Sequence, residues 1–224
     1  MFWRQTWVVL VKDLTVEWRT RQAFNAMIFF AALVLFMFSF ALGPQTARQR
    51  DLAAGLLWLA FVFTGLLGLG RTFQVEQENH CLEGLVLFGR SCIAVYFGKV
   101  LATVVFLVSV EGMILVLLAV LHNVNLWRHM PALLLVMGLG TVGFAAVGTL
   151  YAAMTVQVRA REILLPLVLL PIMVPVLLAS VHATAAVLAG QGVASAASWL
   201  KLLGVCDIIF LTIGWLTCDR VFEP

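Results

Sequence analysis

Hydrophobic and polar positions along this chain separate into six long apolar runs with short polar breaks between them. The runs read NAMIFFAALVLFMFSFALG (25–43), LAAGLLWLAFVFTGLLGLG (52–70), VLATVVFLVSVEGMILVLLAVL (100–121), MPALLLVMGLGTVGFAAVGTLYAAMTV (130–156), ILLPLVLLPIMVPVLLASVHATAAVLA (163–189) and WLKLLGVCDIIFLTIGWLTC (199–218). A helix rises about 1.5 Å per residue and a hydrocarbon core is about 30 Å thick, so about 20 apolar residues suffice to span it. The pattern predicts an all-α integral membrane protein with six transmembrane helices in a single domain over 1–224. The first run begins too late, and lacks the cleavage pattern, for a signal peptide.

Residues 2–24 follow a different pattern. Trp3, Trp7, Leu10, Val11, Leu14 and Trp18 recur at three- and four-residue steps, with Arg4, Lys12, Asp13 and Arg19 off that stripe. This predicts an N-terminal amphipathic helix lying in the membrane interface and anchored there by its indoles. Packing of the same stripe onto the protein is the alternative.

The longest polar break is RTFQVEQENHCLEGLVLFGRSCIAVYFGK at 71–99, far longer than a connection requires. Leu82, Leu85 and Val86 share a helical face while Glu83 points elsewhere. A short amphipathic helix within 71–92, broken near Gly84 or Gly89, fits this spacing. A solvated loop with a surface helix fits it as well.

Composition agrees with the spans. The chain is 63% hydrophobic and 11% charged, with mean hydropathy +1.06, too little charge to cover a soluble domain. Placing the N-terminus inside puts ten of the fourteen Lys and Arg on the cytoplasmic face, with Arg48, Arg50, Arg128 and Lys201 outside. Both termini and 71–99 are therefore expected to be cytoplasmic. The net charge of +3 follows from this asymmetry and calls for no nucleic acid. Cys81, Cys92, Cys206 and Cys218 show no CxxC spacing and read as small apolar fillers.

Within the spans a few residues break the apolar rule. Ala60, Thr64 and Gly68, and again Thr141, Ala145, Thr149 and Ala153, form small-residue stripes that let helices approach closely. Pro166, Pro171 and Pro175 each remove a backbone donor, so the fifth span is expected to be kinked or locally unwound. Glu111 and Asp207 are the intramembrane acids, and such groups face an interior or a cavity. Glu111 lies ten residues before Leu121 and Asp207 eight after Trp199, which places both about 12 to 15 Å beneath the outer face. At that depth they are able to meet and share a proton, as a packing pair, a relay or a gate. His122, His129 and His182 fall near the outer face beside Trp127. Imidazole is a common heme ligand, but His122 and His129 lie across a loop from one another.

The sequence contains no clustered Ser/His/Asp, no HExxH and no metal-spaced Cys, so it offers no catalytic or metal site. It also lacks GxxxxGK[ST]. FGKV at 97–100 has neither the upstream Gly spacing nor the hydroxyl. ATP energy would have to arrive through contact with another chain.

The pattern Arg71, Phe73, Glu76, Leu82–Glu83, Leu85, Leu87, Arg90 and Lys99 resembles the first cytoplasmic loop of ABC-2 type permeases. FSFALGP, GLLWLAFVFTGLLGLGRTF, LEGLVL, LLLVMGLGTVGFAAVG and ILLPLVLLPIMVPVLLAS stand in this order along the chain. Together they make the chain similar to the heme exporter protein B family (CcmB) over most of residues 2–190. His80–Cys81 and Phe88–Gly89 depart from the family's usual Gly and Pro.

The resemblance implies an ABC-2 permease subunit of the cytochrome c maturation system, multi-pass in a bacterial or mitochondrial inner membrane. It further implies that 71–92 docks on an ATP-binding subunit (CcmA) through Phe73, Glu76, Leu82, Glu83, Leu85, Val86 and Arg90. Two copies of the chain would assemble with CcmC and CcmD. ATP would bind on the partner, and heme would be the handled ligand rather than a resident cofactor. The output would be heme movement or release of the heme-loaded chaperone CcmE. A permease for a drug or lipid, and a scaffold without ATP coupling, remain the alternatives.

Overall fold

The computed structural model describes residues 2–42, 46–72, 92–122, 130–155, 158, 161–190 and 192–222. Within them the chain forms helices α1 (Phe2–Thr20), α2 (Gln22–Leu42), α3 (Thr46–Thr72), α4 (Cys92–His122), α5 (Met130–Thr155), α6 (Arg161–Leu188) and α7 (Gly192–Phe222). Six are long and apolar enough to cross a membrane, over Ala23–Leu42, Leu52–Gly70, Cys92–Leu121, Met130–Thr155, Ile163–Leu188 and Ala194–Cys218.

Helix α5 is the centre of the bundle. It packs on α3, α4, α6 and α7, and most of its length is buried. Small residues make this possible. Thr141, Ala145, Thr149 and Ala153 are all buried, as are Ala60, Thr64 and Gly68 on α3. In lipid, helices associate through close packing rather than through water exclusion, so such contacts carry the fold. At Gly140 a Cβ would overlap the Trp58 ring, and at Gly148 it would overlap Leu69. Aromatic packing continues along Trp58, Phe61 and Phe144, whose neighbouring ring centroids lie 5.2 and 5.1 Å apart at near-perpendicular angles.

Helices α2 and α7 lie on the outside and turn apolar side chains outward, among them Phe29, Met37 and Phe40 on α2 and Ile208 and Leu216 on α7. Outward-facing Phe, Met and Ile suit hydrocarbon, as the apolar runs require.

Helix α1 uses two faces. Thr6, Val9 and Leu10 are buried and pack toward α4, while Trp3 (78%), Trp7 (65%) and Trp18 (77%) stay exposed. The expected single stripe is thereby divided. Leu10 joins the protein-facing side, and the indoles remain available for an interface. At Arg21 the backbone takes a positive φ of 51° and starts α2, with the Phe24 amide donating to Glu17 Oε1 at 3.2 Å.

Helix α6 is helical through all three prolines, so of the expected kink or local unwinding the second does not occur. Its buried face carries Leu165, Leu169, Met173, Val176, Ala179, Ser180, Ala183, Thr184 and Val187, whereas Pro171 and Pro175 are exposed and Pro166 is half-buried.

Candidate functional site

The residues expected to form the ATPase contact, Phe73, Glu76, Leu82, Glu83, Leu85, Val86 and Arg90, lie outside the described residues. Helix α4 begins at Cys92, earlier than the apolar run at 100–121 suggests, because CIAVYFG is itself apolar and helical. Lys99 therefore sits inside the helix. Its side chain is 1% exposed, and Nζ donates to Asp13 Oδ2 of α1 at 3.1 Å. Lys12 reaches the other oxygen of the same carboxylate, also at 3.1 Å. One turn of α4 thus docks on α1 through a shared ion pair.

Beside the pair, the backbone makes a second contact. A Cβ at Gly98 would stand 2.7 Å from Val9 Cβ and 3.0 Å from the Thr6 carbonyl. Phe2 packs edge-on against Phe97, with ring centroids 6.2 Å apart. Sequence reading placed Lys99 at a membrane edge and Asp13 on a polar face. Nothing in either stretch pairs them, since they lie 86 positions apart.

Glu111 and Asp207 are both buried, at 3% and 5% exposure, but they do not pair with one another. Glu111 Oε1 lies 2.7 Å from Thr141 Oγ1, which is also 2.7 Å from the Met137 carbonyl. Asp207 lies against Gly143, where a Cβ would come 2.5 Å from Oδ1, and neither of its oxygens has a hydrogen-bond partner among the described residues. Positions 141 and 143 are about 200° apart around a helix, so α5 stands between the two acids. Equal depth was legible from the sequence, but facing direction was not.

A polar seam continues from Gly143 along α5. Ser180 Oγ of α6 lies 2.9 Å from where a Gly140 Cβ would be, and it too lacks a partner among the described residues. One turn further along α6, Thr184 Oγ1 accepts from Trp58 Nε1 of α3 at 3.0 Å. One turn beyond Gly143, Tyr96 of α4 donates to the Ala146 carbonyl at 3.0 Å and presses on Gly214 of α7. The glycines in MGLGTVGFAAVG were visible in the sequence, yet the small-residue stripe drew attention to the neighbouring face.

His182 is exposed and stacks on Trp199 with ring centroids 4.7 Å apart and planes 17° from parallel. The side chain of His122, and His129 and Trp127 as a whole, lie outside the described residues. No group of three or more His, Cys, Asp or Glu able to hold a metal occurs among the described residues.

Among the described residues the chain is helical, with six helices long and apolar enough to cross a membrane packed around a central glycine-bearing one, the architecture of a polytopic membrane protein. The family model described as CcmB protein matches residues 4–220, and the chain belongs to that family. Heme exporter protein B of Pseudomonas aeruginosa is 33% identical over 188 residues, covering 83% of this chain and 82% of that protein. Heme exporter protein B of Rhodobacter capsulatus is 34% identical over 173 residues, 76% and 78% of the two chains. That of Escherichia coli K12 is 30% identical over 207 residues, 91% and 89%.

Proposed function

We propose that this chain is the transmembrane permease subunit of an ATP-driven heme export complex serving cytochrome c maturation. The observation that carries the reading is end-to-end similarity to proteins named heme exporter protein B, over 82% to 89% of their own lengths in two cases. The catalytic step belongs to a partner. An ATP-binding subunit, CcmA, docks on 71–92 through Phe73, Glu76, Leu82, Glu83, Leu85, Val86 and Arg90. Its movement reaches α4 at Cys92 and, through Lys99–Asp13, carries α1 along. Two copies of the chain assemble with CcmC and CcmD in a bacterial inner membrane, termini and 71–92 on the cytoplasmic side. Heme is cargo, moved directly or released on the chaperone CcmE.

Co-purification with the cognate ATP-binding subunit tests the docking step. The variant Leu82→Asp, Leu85→Asp, Val86→Asp should insert normally and lose the partner. Retention of the partner would reduce 71–92 to a solvated connection and favour a scaffold without ATP coupling. An export substrate other than heme would keep the partner interaction but leave cytochrome c output intact when the chain is deleted.

A further inference from the structure

Buried side-chain polar atoms in this bundle are almost all partnered within the described residues. Thr64 bonds its own helix, Thr141 bonds Glu111, Thr184 accepts from Trp58, and Lys99 meets Asp13. The exceptions are Ser180 Oγ and both oxygens of Asp207. They fall on one seam, beside Gly140 and Gly143 of α5, one helical turn apart. Asp207 is near the middle of Ala194–Cys218, and Gly143 near the middle of Met130–Thr155, so the carboxyl sits close to the bilayer midplane.

A residue that only filled space at this point would be Leu or Ala. An aspartate there costs about 2.5 to 3.5 kcal/mol on insertion scales, and leaving a carboxylate without donors adds to the cost of burial. Among the described residues the surroundings supply no compensating charge. On α7 the adjacent titratable group is buried Cys206, while Lys201 is exposed. On α4, Glu111 is turned to the opposite side of α5, and Tyr96 is bonded to the Ala146 carbonyl. On α5, Tyr151 lies two turns beyond Gly143, and on α6 His182 points outward against Trp199. Among the described residues no group of three His, Cys, Asp or Glu gathers here to hold a metal ion, and Oδ1 sits close against Gly143. A proton needs no more room than the carboxyl itself.

We propose that Asp207 is an intramembrane proton-binding site. It carries a proton while Gly143 seals it, and it exchanges that proton with water when α5 and α7 part. Packing of these helices is then linked to proton uptake, because only the neutral acid fits the closed seam. The inference does not depend on which substrate the permease moves.

Dicyclohexylcarbodiimide tests it on the full-length wild-type protein in lipid nanodiscs. A neutral carboxylic acid adds across the carbodiimide, and the resulting O-acylisourea rearranges to a stable N-acylurea, so the whole reagent is retained as added mass. Peptide mass spectrometry separates Asp207 from Glu111. The expected result is an adduct on Asp207 that forms at acidic pH and falls at least tenfold as pH rises. Gly143→Ala, which crowds the carboxyl and loosens the seam, should increase the labelling rate at acidic pH. Absence of the Asp207 adduct at every pH would overturn the proton site. Labelling that stays constant up to strongly alkaline pH would overturn exchange and leave a fixed structural acid. Both readings come from wild-type protein, so a variant that fails to fold does not obscure them.

Discussion

Removing the carboxylate of Asp13 should loosen α1 from the bundle by an amount that follows from the geometry. Lys99 Nζ lies 3.1 Å from Asp13 Oδ2, with the lysine side chain 1% and the aspartate side chain 18% exposed. Deleting one partner of a fully buried pair costs about 3 to 5 kcal/mol. Asp13 retains some water contact, so we expect about 2 kcal/mol for Asp13→Asn, or roughly 30-fold in the docking equilibrium of α1. The Lys12 contact adds little, since its side chain is 43% exposed. Lys99→Met alone should cost less, because it removes the buried charge itself. The double variant should recover most of the loss, as apolar replacement of a buried pair is often neutral. Hydrogen exchange of α1 amides in nanodiscs measures this directly. Protection should fall by about 30-fold in Asp13→Asn and return toward wild type in the double variant. Equal protection in Asp13→Asn and wild type would refute the clamp. A double variant as loose as the single one would refute the electrostatic explanation.

Other outcomes follow from single contacts. Gly140→Ala drives a methyl into the Trp58 ring, and overpacking of this kind costs about 1 to 3 kcal/mol, so thermal stability should drop. Gly55→Ala, with nothing within 4 Å, should leave it level or raised, and a matching drop there would undercut the packing argument. Glu111→Gln keeps a donor and an acceptor toward Thr141 and should be close to neutral. Thr141→Val strands the acid and should cost about 1 to 3 kcal/mol, as read by thermal unfolding in detergent. Pro171→Ala and Pro175→Ala restore backbone donors on the exposed face of α6 and should raise its stability. A large loss would show that those prolines are needed by an assembly partner.

Much of the fold was legible because a helix that crosses lipid cannot disguise its composition. The run at 52–70 lies wholly within α3, and the small-residue stripes fall where helices touch. Lys99 was less legible. A lysine ordinarily marks the edge of a span, and here it is carried inside by a carboxylate from a helix far away in sequence. The two faces of α1 were blurred for a related reason, since stripes at three- and four-residue steps drift around a helix and merge two neighbouring surfaces. The intramembrane acids stood out at once as buried groups. Their separation by α5 depends on which of its sides each one meets, and neither α4 nor α7 encodes that alone. Three prolines predicted a kink or local unwinding, and the helix does not unwind. Two of them sit on the exposed side of α6, where the packed face of the helix can stay continuous.

The most direct test of the central claim is covalent heme attachment in the host itself. Membrane and periplasmic fractions would be stained for heme-bearing c-type cytochromes after deletion of this chain and after its return. The account predicts loss of c-type cytochromes on deletion, restoration by the wild-type chain, and no restoration by Leu82→Asp, Leu85→Asp, Val86→Asp inserted at wild-type level. Cytochrome c levels unchanged by deletion would contradict it.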